Sequence, residues 1–201
     1  LVLLMQKAGW PFPLGVITAF VVTACLGLLL EVTLYRRMYH KPHLDQVLFS
    51  IGLTFMSVAF VDYTLGSTPQ LVQLPESLKG RTEWWDGALS MGHYRLLIIV
   101  VCGVLAVVLQ TLLTRTRFGA QLRASVDDRQ VAAAMGIRVN LVFMATFAMG
   151  SGLAGLGGAL GAEVLGLDPI FPLKYMIYFL IVVAVGGTTS LTGPLLAALL
   201  L

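Results

Sequence analysis

Apolar residues run through this chain in long blocks, with polar and charged residues gathered between them. The blocks Leu14–Leu30, Val47–Val61, Leu96–Leu113, Val139–Gly161 and Leu173–Gly186 are predicted to be full membrane-spanning helices, and a partial sixth begins at Leu191. A helix needs about 20 mainly apolar residues to cross a bilayer. Lipid offers backbone groups no hydrogen-bond partner, so such blocks close their bonds internally as helices. The fifth block is short and is expected to be tilted, bent or only partly spanning. The pattern predicts an all-α fold: a polytopic transmembrane helical bundle, one domain over residues 1–201, with five full spans and partial spans at the ends. The opening LVLLM reads like the tail of an earlier span and TGPLLAALLL like an interrupted one, so a fragment of a longer chain is expected.

Composition agrees. The chain is 58% hydrophobic and 11% charged, with mean hydropathy +0.89, against about 25% charged in soluble domains. The net charge of +3 does not point to nucleic acid, because the cations lie in loops flanking the spans. Basic residues concentrate on the cytoplasmic side of a membrane protein. The segments Glu31–Asp45 and Thr114–Arg138 hold Arg36, Arg37, Lys41, Arg115, Arg117, Arg123, Arg129 and Arg138, eight of the thirteen Lys and Arg. Both are therefore expected to face the cytoplasm. The loop 62–93, with Pro69, Pro75, Trp84 and Trp85, is expected to be an irregular outer surface. Cys25 and Cys102 fall inside apolar runs and read as packing residues. His40 and His43 flank Pro42 and no carboxylate-rich context follows, which reads as an interfacial loop and not a metal site.

The basic loop 114–138 carries the most pointed local signal. Asp127 is placed to cap a short helix, with Gln130 at the third helical position as in a capping box. Gly136 follows Met135 where a left-handed stop would sit. About two turns of helix result, on the order of 12 Å. Val131, Ala132 and Met135 are expected to offer a small apolar docking surface, with Arg123 and Arg129 pairing with acidic groups of a soluble partner.

Two further patterns are structural first. Gly150, Ala154 and Gly158 lie four apart, as do Gly157 and Gly161; small residues at this spacing let helix backbones approach. Gly150, Gly152 and Gly155 also satisfy G-x-G-x-x-G, but inside an apolar run this is no dinucleotide fingerprint. Gln46, Ser50 and Thr54 share a face of the second span, which fits interhelical hydrogen bonding or, as a second reading, a translocation path. Apart from Lys174 at the edge of the fifth, the predicted spans contain no Asp, Glu, Lys, Arg or His, which counts against a proton-driven secondary transporter. No phosphate-binding G-x-x-x-x-G-K-[ST] is present, and no nucleophile–base set. A chain without such chemistry reads as a transport component, with any ATP hydrolysed elsewhere.

The segment GAQLRASVDDRQVAAAMGI resembles the cytoplasmic loop of bacterial ABC-importer permeases of the branched-chain amino acid type, at Gly119, Arg123, Ala124, Asp128, Ala132, Gly136 and Ile137. EVTLYRR at Glu31–Arg37 is similar to that family's Glu and Tyr-Arg element. VGGTTSLTGP at Val185–Pro194 is similar to its late glycine-rich element, although Thr189 stands where Gly is frequent and Met38 follows Arg37 where a Pro is common nearby. The resemblance implies a permease subunit with no cofactor and no catalysis of its own. Its implied partners are a second permease subunit, a cytoplasmic ABC ATPase that uses ATP, and a periplasmic substrate-binding protein. The implied place is the bacterial inner membrane, and Asp128–Met135 becomes the coupling helix. Alternatives are a permease for urea, short amides or another small polar solute, a secondary transporter or channel without an ATPase, and a structural membrane subunit.

Overall fold

The computed structural model describes residues 12–39, 41–66, 81–84, 89–166, 170–187 and 192–200. In chain order these form α1 (Phe12–Leu30), a π-helical turn (Glu31–Tyr35), α2 (Arg36–Met38), α3 (His43–Leu65), β1 (Arg81–Trp84), β2 (Leu89–Gly92), α4 (His93–Arg115), α5 (Arg117–Asp127), α6 (Arg129–Ala134), α7 (Val139–Leu165), α8 (Phe171–Gly186) and α9 (Thr192–Leu200). Among the described residues, four stretches are long and apolar enough to cross a membrane: Pro13–Met38, Leu44–Thr64, His93–Arg115 and Val139–Ala162. The fifth, α8, has 16 residues. At about 1.5 Å per residue that is roughly 24 Å, short of a hydrocarbon core near 30 Å. The chain is thus a helical bundle of multi-pass membrane type.

Two local elements were not expected. Part of the loop 62–93 is an antiparallel hairpin in which Arg81 pairs with Gly92 and Trp84 with Leu89. The basic loop contains a second helix, α5, ahead of the short one. Trp85, Pro69, Pro75, the opening LVLLM and His40 lie outside the described residues. Cys25 and Cys102 are free thiols on exposed helix faces.

The chain divides into two compact units, Leu1–Tyr39 with Val72–Leu165, and His40–Leu71 with Gly166–Leu201. In the first, α1 and α7 run antiparallel along a seam of small residues. A Cβ on Gly27 would collide with Ser151, one on Gly152 with the Phe20 ring, and one on Gly155 with Thr23. The seam continues in rings: Tyr35 meets Phe147 at 4.9 Å and Tyr39 meets Phe143 at 5.7 Å between centroids. Phe143, Phe147, Ser151 and Gly155 are four apart, so α7 presents one face to α1. Near the other end of α7, the buried Tyr94 hydroxyl donates to the Leu160 carbonyl at 2.7 Å. Tyr94 and Leu160 pack with Val16, Leu97, Ile98, Val101 and Leu156. This fastens α4 to the α1–α7 pair, through an apolar ring whose polar tip is satisfied.

In the second unit the late glycine-rich element has a steric basis. A Cβ on Gly186 would strike Pro194, and one on Gly193 would strike the Gly186 carbonyl. The end of α8 and the start of α9 therefore touch backbone to backbone. Gly187 stops α8 with φ +76°, and its N–H donates to Val183 O at 2.9 Å.

Candidate functional site

The polar end of the first unit is built from the α4–α5 turn upward. Thr116 ends α4, and its side chain accepts from Gly119 N at 3.4 Å to cap α5. Gly119 lies against the backbone of Leu113, leaving no room for a Cβ. Arg123 then reaches back and donates from Nη1 to the Leu113 carbonyl. A guanidinium on the last carbonyls of a helix satisfies groups that lack an intrahelical partner. Arg123 thus clamps α5 onto α4, while its side chain remains exposed.

The short helix α6 is six residues long, about 9 Å. Its N-cap is Asp128, not Asp127. Asp127 is the last residue of α5, whose backbone ladder runs on to Asp128 N→Ala124 O at 3.2 Å. Only Asp128 leaves helical geometry, with φ −147° and ψ 108°, and its Oδ1 accepts from Gln130 N at 2.8 Å and Val131 N at 3.0 Å. The capping box with Gln130 is absent because the cap falls one residue later. At the other end Gly136 has φ +84°. Ile137 N donates to Ala132 O at 3.1 Å and Gly136 N to Ala133 O at 3.0 Å, the paired bonds of a Schellman stop. Both ends of α6 are therefore pinned. Asp128→Ala is expected to cost about 1 kcal/mol locally, raising hydrogen exchange of α6 amides, whereas Asp127→Ala leaves them unchanged.

The apolar face of α6 also differs from expectation. Ala132 is 3% exposed and points into the chain, where Val139 and Val142 are buried too. Val131 is 59% and Met135 79% exposed, and Val126 on α5 is 68% exposed. Val131 and Met135 are four apart on the outer side of α6, while Arg129 and Ala132, three apart, turn inward. Ala124 is exposed on α5. The accessible apolar surface is therefore Val126, Val131 and Met135, without Ala132.

A second cluster, unforeseen as a unit, joins this region to the first span. Glu31 opens the π turn, is 2% exposed, and accepts from the Tyr39 hydroxyl through Oε1 at 2.6 Å. Its Oε2 has no hydrogen-bond partner among the described residues. Arg129 stands over the rings of Tyr39 at 5.7 Å and Phe143 at 5.8 Å, and donates to Asn140 Oδ1 at 2.9 Å. Burial, followed by the hydrogen bond to Glu31, raises the Tyr39 pKa above its usual range, so the phenol is held as a donor. The predicted first span ended at Leu30 because Glu31 is charged; the helix in fact continues through it, so a carboxyl group does lie within a spanning helix.

The other expected residues fall elsewhere. Gln46, Ser50 and Thr54 are half-buried on α3, and each bonds locally: Gln46 Nε2 to Lys41 O at 3.0 Å, Ser50 Oγ to Val47 O at 2.8 Å, Thr54 Oγ1 to Ser50 O at 2.9 Å. A Cβ on Gly150, Gly157 or Gly158 would meet nothing within 4 Å. Ala154 is exposed and Gly161 half-buried. Small residues do make the α1–α7 seam, but on the neighbouring face of the helix.

Residues 1–201 match the family described as branched-chain amino acid transport system / permease component. The chain belongs to that permease family. It is 24% identical over 193 residues to the high-affinity branched-chain amino acid transport system permease protein LivH of Escherichia coli K12, covering 93% of this chain and 61% of that protein. LivH of Salmonella typhimurium gives the same figures. BraD of Pseudomonas aeruginosa PAO1, a permease protein of the same description, is 25% identical over 197 residues, covering 94% of this chain and 64% of BraD. The chain thus spans about three-fifths of the length of these relatives. No solved structure matches. In this permease-family chain, Gly119 and Arg123 fold the α4–α5 elbow, Asp128 and Gly136 cap α6, and Gly186 and Gly193 close the α8–α9 turn.

Proposed function

We propose that this chain is the membrane-spanning subunit of an ATP-driven importer for branched-chain or related amino acids. A substrate-binding protein delivers the solute outside, a second permease subunit completes the pathway, and an ABC ATPase works from the cytoplasm. Family membership and the printed descriptions of LivH and BraD support the solute class. The observation that carries the ATPase reading is α6, a helix capped at both ends that displays Val131 and Met135 to solvent. A pinned helix moves as a body when pushed, whereas a frayed loop absorbs the push. The concentration of basic residues around α5 and α6 supports a cytoplasmic position for that end. ATP is used by the partner, so this subunit needs no cofactor, and the inner membrane of a bacterium is its proposed place.

The test is uptake by right-side-out membrane vesicles, with ATP enclosed, holding the full-length permease with its ATPase and supplied with the binding protein outside. Labelled leucine, isoleucine or valine is expected to accumulate only with ATP on the ATPase side. Accumulation of urea or a short amide in place of these amino acids would support the solute alternative. Uptake without an ATPase would replace the importer by a channel or secondary transporter.

A further inference from the structure

We propose that Tyr39 is a positioning residue which, held between Arg129 and Glu31, mechanically links the capped helix α6 to the π turn of the first span. The link rests on the importer reading for its purpose, but its existence is a property of the fold.

The geometry is specific. Arg129 is the first residue of α6, so its backbone moves with the Asp128 cap. Its guanidinium lies over Tyr39 and Phe143 and is fixed at one edge by Asn140. Tyr39 passes the contact on through its hydroxyl to Glu31 Oε1. Glu31 and Tyr39 are eight residues apart, about 2.2 turns of α-helix, which leaves them roughly 80° apart around the axis. The π closure, Arg36 N–H to Glu31 O, widens the turn and reduces that angle. The bulge is thus what brings the carboxyl and the phenol onto one face. Breaking their bond removes a reason for the bulge to persist.

Depth gives the link a consequence. Glu31 lies 18 residues beyond Pro13, about 27 Å along the helix, near the far edge of a hydrocarbon core roughly 30 Å thick. A buried carboxyl group with one oxygen unsatisfied among the described residues leans on the partner of the other, so Tyr39 has leverage on the backbone there. A π bulge is a natural place for a helix to change winding. Displacing α6 therefore shifts Arg129, then Tyr39, then the turn at Glu31–Tyr35. In that direction the strokes of an ATPase reach the span without passing through the α6–α7 connection alone.

Hydrogen exchange on the full-length protein in detergent tests the link apart from transport. Uncapping α6 with Asp128→Ala is expected to speed exchange of amides 31–36 by up to about fivefold in the parent chain and to change it little in a Tyr39→Phe background. Equal acceleration in both backgrounds, or none in either, would overturn the link whether or not the protein is an importer. In the complete importer, Tyr39→Phe and Glu31→Ala are expected to lower amino acid uptake per ATP hydrolysed about fivefold or more. Glu31→Gln, which keeps an acceptor for the phenol, is expected to restore the ratio. A purely structural role predicts instead that uptake and hydrolysis fall together with the amount of folded protein, and an unchanged ratio in Tyr39→Phe would also refute the proposal. If the parent complex moves no amino acid, the importer reading fails, while the exchange experiment still decides the link.

Discussion

Met135→Glu is expected to abolish most ATP-driven uptake while the chain still inserts and folds. Met135 caps the C-terminal end of α6, is 79% exposed, and its backbone N–H donates to Val131 O at 3.0 Å irrespective of the side chain. A glutamate is soluble there, so the isolated protein loses little. On the proposed ATPase interface the same carboxylate would be buried against an apolar cleft. A disrupted central contact costs about 2 kcal/mol or more, roughly thirtyfold in affinity. The check is co-purification of the ATPase together with vesicle uptake. Val131→Glu should behave alike. Ala132→Glu should not, since Ala132 is buried and the change would disturb folding of the loop before any docking.

Gly155→Leu is expected to have the largest effect on folding. Its Cβ alone would overlap the Thr23 side chain, and Thr23 is already anchored by its own hydroxyl to Ala19 O at 2.7 Å. Neither helix can yield without breaking the Gly27–Ser151 and Phe20–Gly152 contacts beside it. Overpacking of a close seam costs about 3 kcal/mol, a large part of a typical stability margin of about 5–15 kcal/mol, so thermal stability and the yield of folded protein should fall sharply. Gly158→Leu is the matched control, since its Cβ meets nothing within 4 Å in this chain. Thermal stability in detergent measures both. Equal loss in the two variants would mean the α1–α7 seam is misplaced.

The spans were legible because lipid imposes a length and a composition on any crossing helix, and the four long helices follow the apolar blocks closely. Their ends were less legible. The first span is predicted to end at Leu30, yet the half-buried Tyr39 hydroxyl stabilises the Glu31 carboxyl inside a helix that continues through the π turn, and a contact between residues eight apart across that turn leaves no periodic trace. The small-residue face of α7 was ambiguous for a geometric reason. Gly150, Ala154 and Gly158 form one four-residue series and Ser151, Gly155 and Ala159 form the next, and only the bulk of Phe20 and Thr23 on α1 selects between them. The short helix was seen from its Asp and its Gly. Two adjacent aspartates left the cap uncertain by one residue, and that register turned Ala132 inward. Arg123 and Arg129 could not be assigned from sequence, because exposed arginines in a basic loop look the same whether they face a partner or clamp Leu113 and Tyr39.

In the proposed importer the outer face of α6 meets the ATPase. Cysteine at Met135 tests it most directly, in a full-length permease otherwise free of cysteine and assembled with its ATPase. A short bifunctional thiol reagent is expected to join position 135 to the ATPase, with a yield that changes between ATP-bound and nucleotide-free states, and not to join a control cysteine at Gly150. No cross-link at 135 in a complex that still imports amino acids, or labelling of that cysteine only from the outer side of the membrane, would contradict the account.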